Sequence, residues 1–140
     1  FITRAIFIEQ GPESKLLQSE SIPLNSLLQN ASKQLDEYFD GIREKFDLAL
    51  KPHGTFFQRF AWKSLHLIPY GETISYLQQA ESLGNSRAIR AVGQANAKNP
   101  IPIFIPCHRV IGKNGSLTGY AGGLERKTKL LEMENRFKHE

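Results

Sequence analysis

The sequence predicts an α+β fold: an abbreviated α/β segment over residues 1–52, then a largely helical part over residues 53–140. Three observations carry this. Before Pro52, short β-prone runs lie on either side of one helical stripe. After it, apolar residues recur mostly at helical spacing. Between the two, Pro52-His53-Gly54 breaks both patterns.

In order, residues 1–8 are apolar and β-prone, and Gly11-Pro12 ends them. Leu24, Leu27, Leu28, Ala31, Leu35 and Phe39 mark an amphipathic helix stopped by Gly41. Phe46, Leu48 and Leu50 alternate as a short strand before Lys51-Pro52, so the first part reads as a small α/β unit with an incomplete sheet. Thr55 and Gln58 then have the form of a capping box, in which hydroxyl and amide satisfy free backbone N–H groups. Phe57, Phe60, Ala61, Ser64 and Leu65 follow as a helical stripe ended by Pro69-Tyr70-Gly71, with Trp62 read as core or interface.

Residues 73–83 and 86–98 are expected as two helices joined at Gly84-Asn85, a helix-turn-helix pattern. The run Ile101-Pro102-Ile103-Phe104-Ile105 is expected as a strand that delivers Cys107. Gly112-Lys113-Asn114-Gly115 signals a turn, residues 117–123 a mobile loop or wing, and residues 124–137 a last helix buried through Leu124, Leu130, Leu131 and Phe137. Glu134 falls three and four residues after Leu131 and Leu130. Its carboxylate therefore points toward the core and needs a partner, because an unpaired buried charge is costly.

The net charge of +4 conceals an asymmetry. Residues 1–52 hold six Lys/Arg against eight Asp/Glu, and residues 53–140 hold twelve against six. No carboxylate lies between Glu81 and Glu125, whereas Arg87, Arg90, Lys98, Arg109 and Lys113 do. That unopposed positive stretch suits a polyanion and would favour a thiolate at Cys107. On the second helix of the pair, Arg87, Arg90, Gln94 and Lys98 share one face, and Ala88, Val92 and Ala95 line another. Ala91, Gly93 and Ala97 would let the backbone approach a surface closely. Few side chains there would read base edges, so the expectation is DNA binding of weak sequence preference, through the narrower groove. A solvated basic face is the alternative.

No apolar run approaches the roughly 18 residues of a membrane helix, and no basic-then-apolar leader opens the chain. A cytoplasmic protein is expected, nuclear in a eukaryote. The chain opens at Phe1 and reads as a fragment or a processed form. A single cysteine excludes an internal disulfide and a multi-cysteine zinc site, and His53, His66, His108 and His139 lack ligand spacing. No metal and no organic cofactor is expected.

Pro106-Cys107-His108-Arg109-Val110 places thiol, imidazole and guanidinium side by side after an apolar run. A lone cysteine is often a small buried hydrophobe. The motifs around this one resemble the O6-alkylguanine-DNA alkyltransferases, the methylated-DNA–protein cysteine methyltransferases. They are Ile68-Pro69-Tyr70-Gly71-Glu72-Thr73, Ser75-Tyr76, Arg90-Ala91-Val92-Gly93, Asn99-Pro100, residues 105–110, Thr118-Gly119-Tyr120 and Gly122-Gly123-Leu124. The resemblance runs from about Gln34 to Glu134.

The resemblance implies direct reversal of DNA damage: Cys107 takes the alkyl group from O6 of a guanine flipped out of double-stranded DNA, irreversibly and once. O4-alkylthymine is a second candidate substrate. His108 would take the thiol proton through a water, with Glu134 orienting the imidazole and Asn99 tying the recognition helix to the active-site segment. Tyr120 would donate to the guanine leaving group. Arg90 would replace the extruded nucleotide in the stack and Tyr76 would press on its phosphate. The carbonyls of Cys107 and Val110 would accept from the base, with Pro102, Ala121 and Gly122 in the pocket. Some family members carry serine where Ala121 stands, which leaves only a backbone donor here.

The fold implied is a truncated ribonuclease H-like domain over residues 1–52 and a winged helix-turn-helix-like domain over residues 53–140, acting as a monomer. Arg109 has no assigned role, and His53, His66 and His139 are read as incidental. A non-catalytic alkyl-damage sensor is the first rival, though such proteins lack the acceptor cysteine. A thiol hydrolase is the second, and it would not explain the helix-turn-helix.

Overall fold

The computed structural model describes residues 1–7, 25–115, 119–120 and 122–139. The sequence expectations at Ile8, Gly11-Pro12, Leu24, Thr118 and Ala121 lie outside them. The architecture is mixed: helices around a small two-stranded parallel sheet.

Helix α1, Ser26–Phe39, begins where Asn25 Oδ1 accepts from the Leu28 N–H at 2.9 Å. It ends before Gly41, whose φ of 76° is left-handed. The buried face holds Ala31, Gln34 and Tyr38, whereas Leu28 and Phe39 from the expected stripe are exposed. Gln34 sets that rotation. Its amide accepts from the Asp47 N–H at 2.8 Å and donates to the Asp47 carbonyl at 3.0 Å, which stitches α1 to residues 46–50.

The two strands expected in the first segment reduce to one parallel bridge, Ile2 to Leu50. Ile2 N–H donates to Ala49 O and Lys51 N–H to Ile2 O, both at 2.8 Å. Three residues on, the Ala5 N–H donates instead to Pro100 O at 2.8 Å, which takes the chain off that ladder and onto the later half.

Helix α2, Phe56–Leu65, opens with the expected capping box: Gln58 N–H to Thr55 Oγ1 at 3.1 Å and Thr55 N–H to Gln58 Oε1 at 3.0 Å. It buries Ala61, Trp62 and Leu65, and the Trp62 indole N–H donates to Ala95 O at 2.8 Å. Strand β1, Ile74–Ser75, precedes helix α3, Tyr76–Ser82, so that helix starts later than expected. Ile74 and Ser75 pair with Val110 and Ile111 of strand β2, Val110–Ile111, and a second capping box, Ser75 with Gln78, then nucleates α3. Helix α4, Ile89–Ala97, is also shorter than expected; residues 86–88 form a turn in which Asn85 Oδ1 accepts from the Arg87 N–H. A buried amide pair locks α3 to α4: Asn96 Nδ2 donates to Gln79 Oε1 at 2.7 Å and Gln79 Nε2 to Asn96 Oδ1 at 3.2 Å.

Residues 101–105 are not the expected strand. They form a buried turn closed by the Ile105 N–H to Ile101 O at 3.0 Å, with Ile103 at a φ of 73°. Pro100, Pro102 and Pro106 remove donors a ladder would need. Asn99 supplies the alternative bonds, accepting from the Ile101 N–H and donating to Ile105 O, both at 2.9 Å.

The last helix, α5, Leu124–Lys138, buries Lys127, Leu130 and Glu134. Leu124, expected on that face, is exposed, because the buried positions begin one turn later at Lys127. One core joins both halves of the chain, with Ile2, Ala31 and Tyr38 in the same cluster as Trp62, Leu65, Ile101, Ile105 and Val110. Among the described residues no helix is long and apolar enough to cross a membrane.

Candidate active site

Cys107 opens a 3-10 turn, Cys107–Arg109, reached directly from the 101–105 turn. Its own N–H donates to Ile105 O at 2.8 Å, and the Arg109 N–H donates to Pro106 O at 3.1 Å. At three residues per turn, consecutive side chains diverge. Thiol, imidazole and guanidinium therefore leave the backbone in different directions while all three stay buried.

The thiol sits beside Asn99, whose Nδ2 lies 3.2 Å from Sγ. Burial pushes the thiol up, and the Asn99 amide and the Lys127 charge oppose this only in part. Cys107 is thus a thiol at neutral pH, contrary to the thiolate expected from the basic stretch. The cations of that stretch are placed elsewhere: Arg87, Arg90 and Lys98 are exposed, and Arg109 is turned to Glu134.

Behind the thiol stands a buried polar chain. His108 Nε2 lies 2.6 Å from Glu134 Oε2. With its proton on that nitrogen, the imidazole keeps a lone pair on Nδ1. Nδ1 is buried with no protein partner among the described residues. Arg109 grips the same carboxylate through Nε to Oε1 at 2.9 Å and a second guanidinium N–H to Oε2 at 3.2 Å, and its third arm donates to Ile68 O at 2.9 Å. The Gly71 N–H donates to Oε1 at 3.1 Å, and the Tyr38 hydroxyl to Oε2 at 2.5 Å.

Burial alone would raise the Glu134 pKa, but the hydrogen bonds from His108 and Arg109 and the Arg109 charge outweigh it and hold the carboxyl at about 2. His108 is pushed down by burial, against the pull of Glu134, so the imidazole is neutral at neutral pH. Glu134 therefore has the partners it needs, in His108 and in Arg109, which had no role assigned from sequence.

Tyr120 is buried, its hydroxyl has no partner among the described residues, and its ring meets Phe7 edge-on at 6.0 Å. Burial and the neighbouring Cys107 raise its phenol, which stays protonated and able to donate. Pro102 and Val110 are buried, and Gly122 is half-buried, packed so that a Cβ there would strike the Phe7 ring. Lys127, missed in the sequence, is buried and donates from Nζ to Val110 O at 2.7 Å, so one of that carbonyl's two lone pairs is in use. Its spacing of seven residues from Glu134 on one helix face was the available signal. Arg87, Arg90, Gln94 and Lys98 are exposed on α4 or its ends. Tyr76 opens α3 half-buried, its ring 5.8 Å from Lys127 Nζ. No group of three or more His, Cys, Asp or Glu side chains that could hold a metal occurs among the described residues.

Fold and site together define a protein built around one buried cysteine, with the buried His108–Glu134–Arg109 cluster beginning at the next residue and Arg90 and Gln94 exposed on α4. Residues 56–136 match the family described as 6-O-methylguanine DNA methyltransferase, DNA binding domain. The methylated-DNA–protein-cysteine methyltransferase of Methanosarcina barkeri is 52% identical over 125 residues, which cover 89% of this chain and 79% of that one. The crystal structure of Mycobacterium tuberculosis O6-methylguanine methyltransferase superposes with a TM-score of 0.81 at 46% identity, covering 96% of this chain and 80% of the other. Mycobacterium tuberculosis OGT in complex with DNA superposes with a TM-score of 0.77 at 52% identity, covering 79% and 68%. The chain belongs to the methylated-DNA–protein-cysteine methyltransferase family.

Proposed function

We propose that this chain repairs alkylated DNA by direct reversal, moving the alkyl group from O6 of a flipped-out guanine to Cys107 in one irreversible turnover. The observation that carries this reading is the buried thiol beside a buried cluster of His108, Glu134 and Arg109, with the His108 Nδ1 lone pair unclaimed by any described residue. At rest the site is neutral at the thiol and the imidazole, so burial of the nucleophile costs no separated charge. When an alkylated base enters, a water passes the Cys107 proton to Nδ1, and the imidazolium that forms is held by the ionised Glu134. Sγ attacks the alkyl carbon, the C–O6 bond breaks with its electron pair on guanine, and a thioether forms. The Tyr120 hydroxyl donates to the guanine as that charge develops. Asn99 holds Sγ and the 101–105 turn in one piece, and Val110 O, Pro102 and Gly122 line the base pocket.

A base inside the duplex hides its O6 group, and unstacking it costs roughly a few kcal/mol. Arg90 fills the vacated stack, Tyr76 presses on the phosphate, and Arg87, Gln94 and Lys98 hold the flanking backbone. We read α3 and α4 as a helix-turn-helix and residues 1–52 as an abbreviated ribonuclease H-like domain. The protein works as a monomer in the cytoplasm, with no cofactor.

Intact mass after incubation with duplex DNA containing O6-methylguanine tests the reading. One methyl group on Cys107, with reaction ending at one equivalent, is expected. Tight lesion binding with no adduct would make the chain a damage sensor, and sustained turnover would make it a thiol hydrolase.

A further inference from the structure

Tyr38 lies 96 positions before Glu134 and donates its hydroxyl to Oε2 at 2.5 Å. The same oxygen faces His108 Nε2 at 2.6 Å. Tyr38 comes from α1, in the first segment, and is fully buried among Phe39, Phe46 and Tyr70, with ring centroids 5.3, 5.4 and 6.1 Å away. The end of α1 is seated closely on α5: Gly41 turns at positive φ where a Cβ would run into the ring of Phe137, one turn beyond Glu134. Burial of a tyrosine does not by itself force this pairing, since the buried hydroxyls of Tyr70 and Tyr120 have no partner among the described residues.

We propose that Tyr38 is a positioning residue for the alkyl transfer: its hydroxyl shares Glu134 Oε2 with His108 and thereby sets how strongly that carboxylate draws a proton onto the imidazole. A donor on a carboxylate oxygen draws off negative charge and weakens what that oxygen offers to its other partner. The charged groups that act on His108 are Glu134 and Lys127 from α5 and Arg109 beside it, and those that act on Tyr38 are Glu134, Arg109 and, from the turn after α2, Tyr70. Of these, Tyr38 is the one that brings the first segment into the relay. The inference rests on the reading of His108 as the base that accepts the Cys107 proton.

The test is made on the full chain with Tyr38→Phe and with a ring-fluorinated tyrosine placed at position 38, whose more acidic hydroxyl is a stronger donor. Two quantities are read: the imidazole titration of His108 by nitrogen NMR, and the pH dependence of the reaction with free O6-benzylguanine. Removing the hydroxyl leaves a more basic carboxylate, so the His108 titration and the acid limb of the rate profile should both move up by about one pH unit. The fluorinated residue should move both the opposite way. A merely structural tyrosine would lower rate or stability without displacing either midpoint in opposite senses. Coincident His108 titrations in all three proteins overturn the proposal, and because the fluorinated protein differs by one atom, that result stands even where Tyr38→Phe fails to fold. Opposed shifts of the titration with no matching shift in rate would uphold the Tyr38 coupling and remove His108 as the base.

Discussion

Arg109 shows how much of this site depends on one cation. Its guanidinium makes two contacts with the Glu134 carboxylate and one with Ile68 O, and its charge lies 5.6 Å from the Tyr70 ring centroid. Deleting one member of a buried ion pair leaves the other charged and unpaired, at a cost of roughly 3–5 kcal/mol. Arg109→Leu should therefore lose stability on that scale in denaturant unfolding, and Arg109→Lys should recover only part of it, because an ammonium cannot repeat the planar fork. A loss in Arg109→Leu below about 1 kcal/mol would mean that His108 and Tyr38 suffice for Glu134. At this scale the sequence was legible where chemistry sat in adjacent residues or on one helix phase. Cys107 and His108 stood together, Glu134 faced inward by its spacing, and Asn99 preceded a proline. Tyr38 could not be read, because nothing local in a tyrosine near the end of an amphipathic helix points to a carboxylate on the last helix.

Among the elements, α4 has one side buried and the other exposed. Its buried side, Val92, Ala95 and Asn96, is fixed to α2 and α3, while Arg90 and Gln94 remain exposed. Arg90→Ala should slow repair in duplex DNA far more than reaction with free O6-benzylguanine, since the small substrate needs no flipping. Equal losses would place Arg90 in the chemistry instead. Lys98→Ala should lower the salt dependence of DNA binding by about one unit of log–log slope if it contacts one phosphate. Helices with caps were the elements most easily foreseen: the Thr55–Gln58 box appears as written. The Ser75–Gln78 box has the same form, and reading it would have corrected the start of α3. The 101–105 turn was not foreseen, because apolar content and β-branching mark burial, not direction. Ile103 takes a left-handed conformation there, and a side-chain clamp from Asn99 replaces the ladder.

On the scale of the whole molecule, burying His108 and Glu134 ties folding to pH. His108 is held below its ordinary 6.5 by burial, so below about pH 6.5 an unfolded imidazole binds a proton that the folded one refuses. The unfolded state then carries more protons, and stability falls as pH drops. Glu134 acts in the same sense lower down: its carboxyl, moved from 4.5 to about 2, contributes fully above about pH 4.5, and the contribution is lost as pH falls toward about 2. His66, also lowered by burial and by Arg109, adds to the first step. The thermal midpoint should therefore decline in two stages on acidification from about pH 8, and Glu134→Gln should remove the lower stage while keeping the upper. A midpoint that rose between about pH 6.5 and 5 would mean that the folded protein binds the proton more tightly than the unfolded chain. In that case the attraction of Glu134 for His108 would exceed the effect of burial, and the resting site would hold an imidazolium beside the thiol.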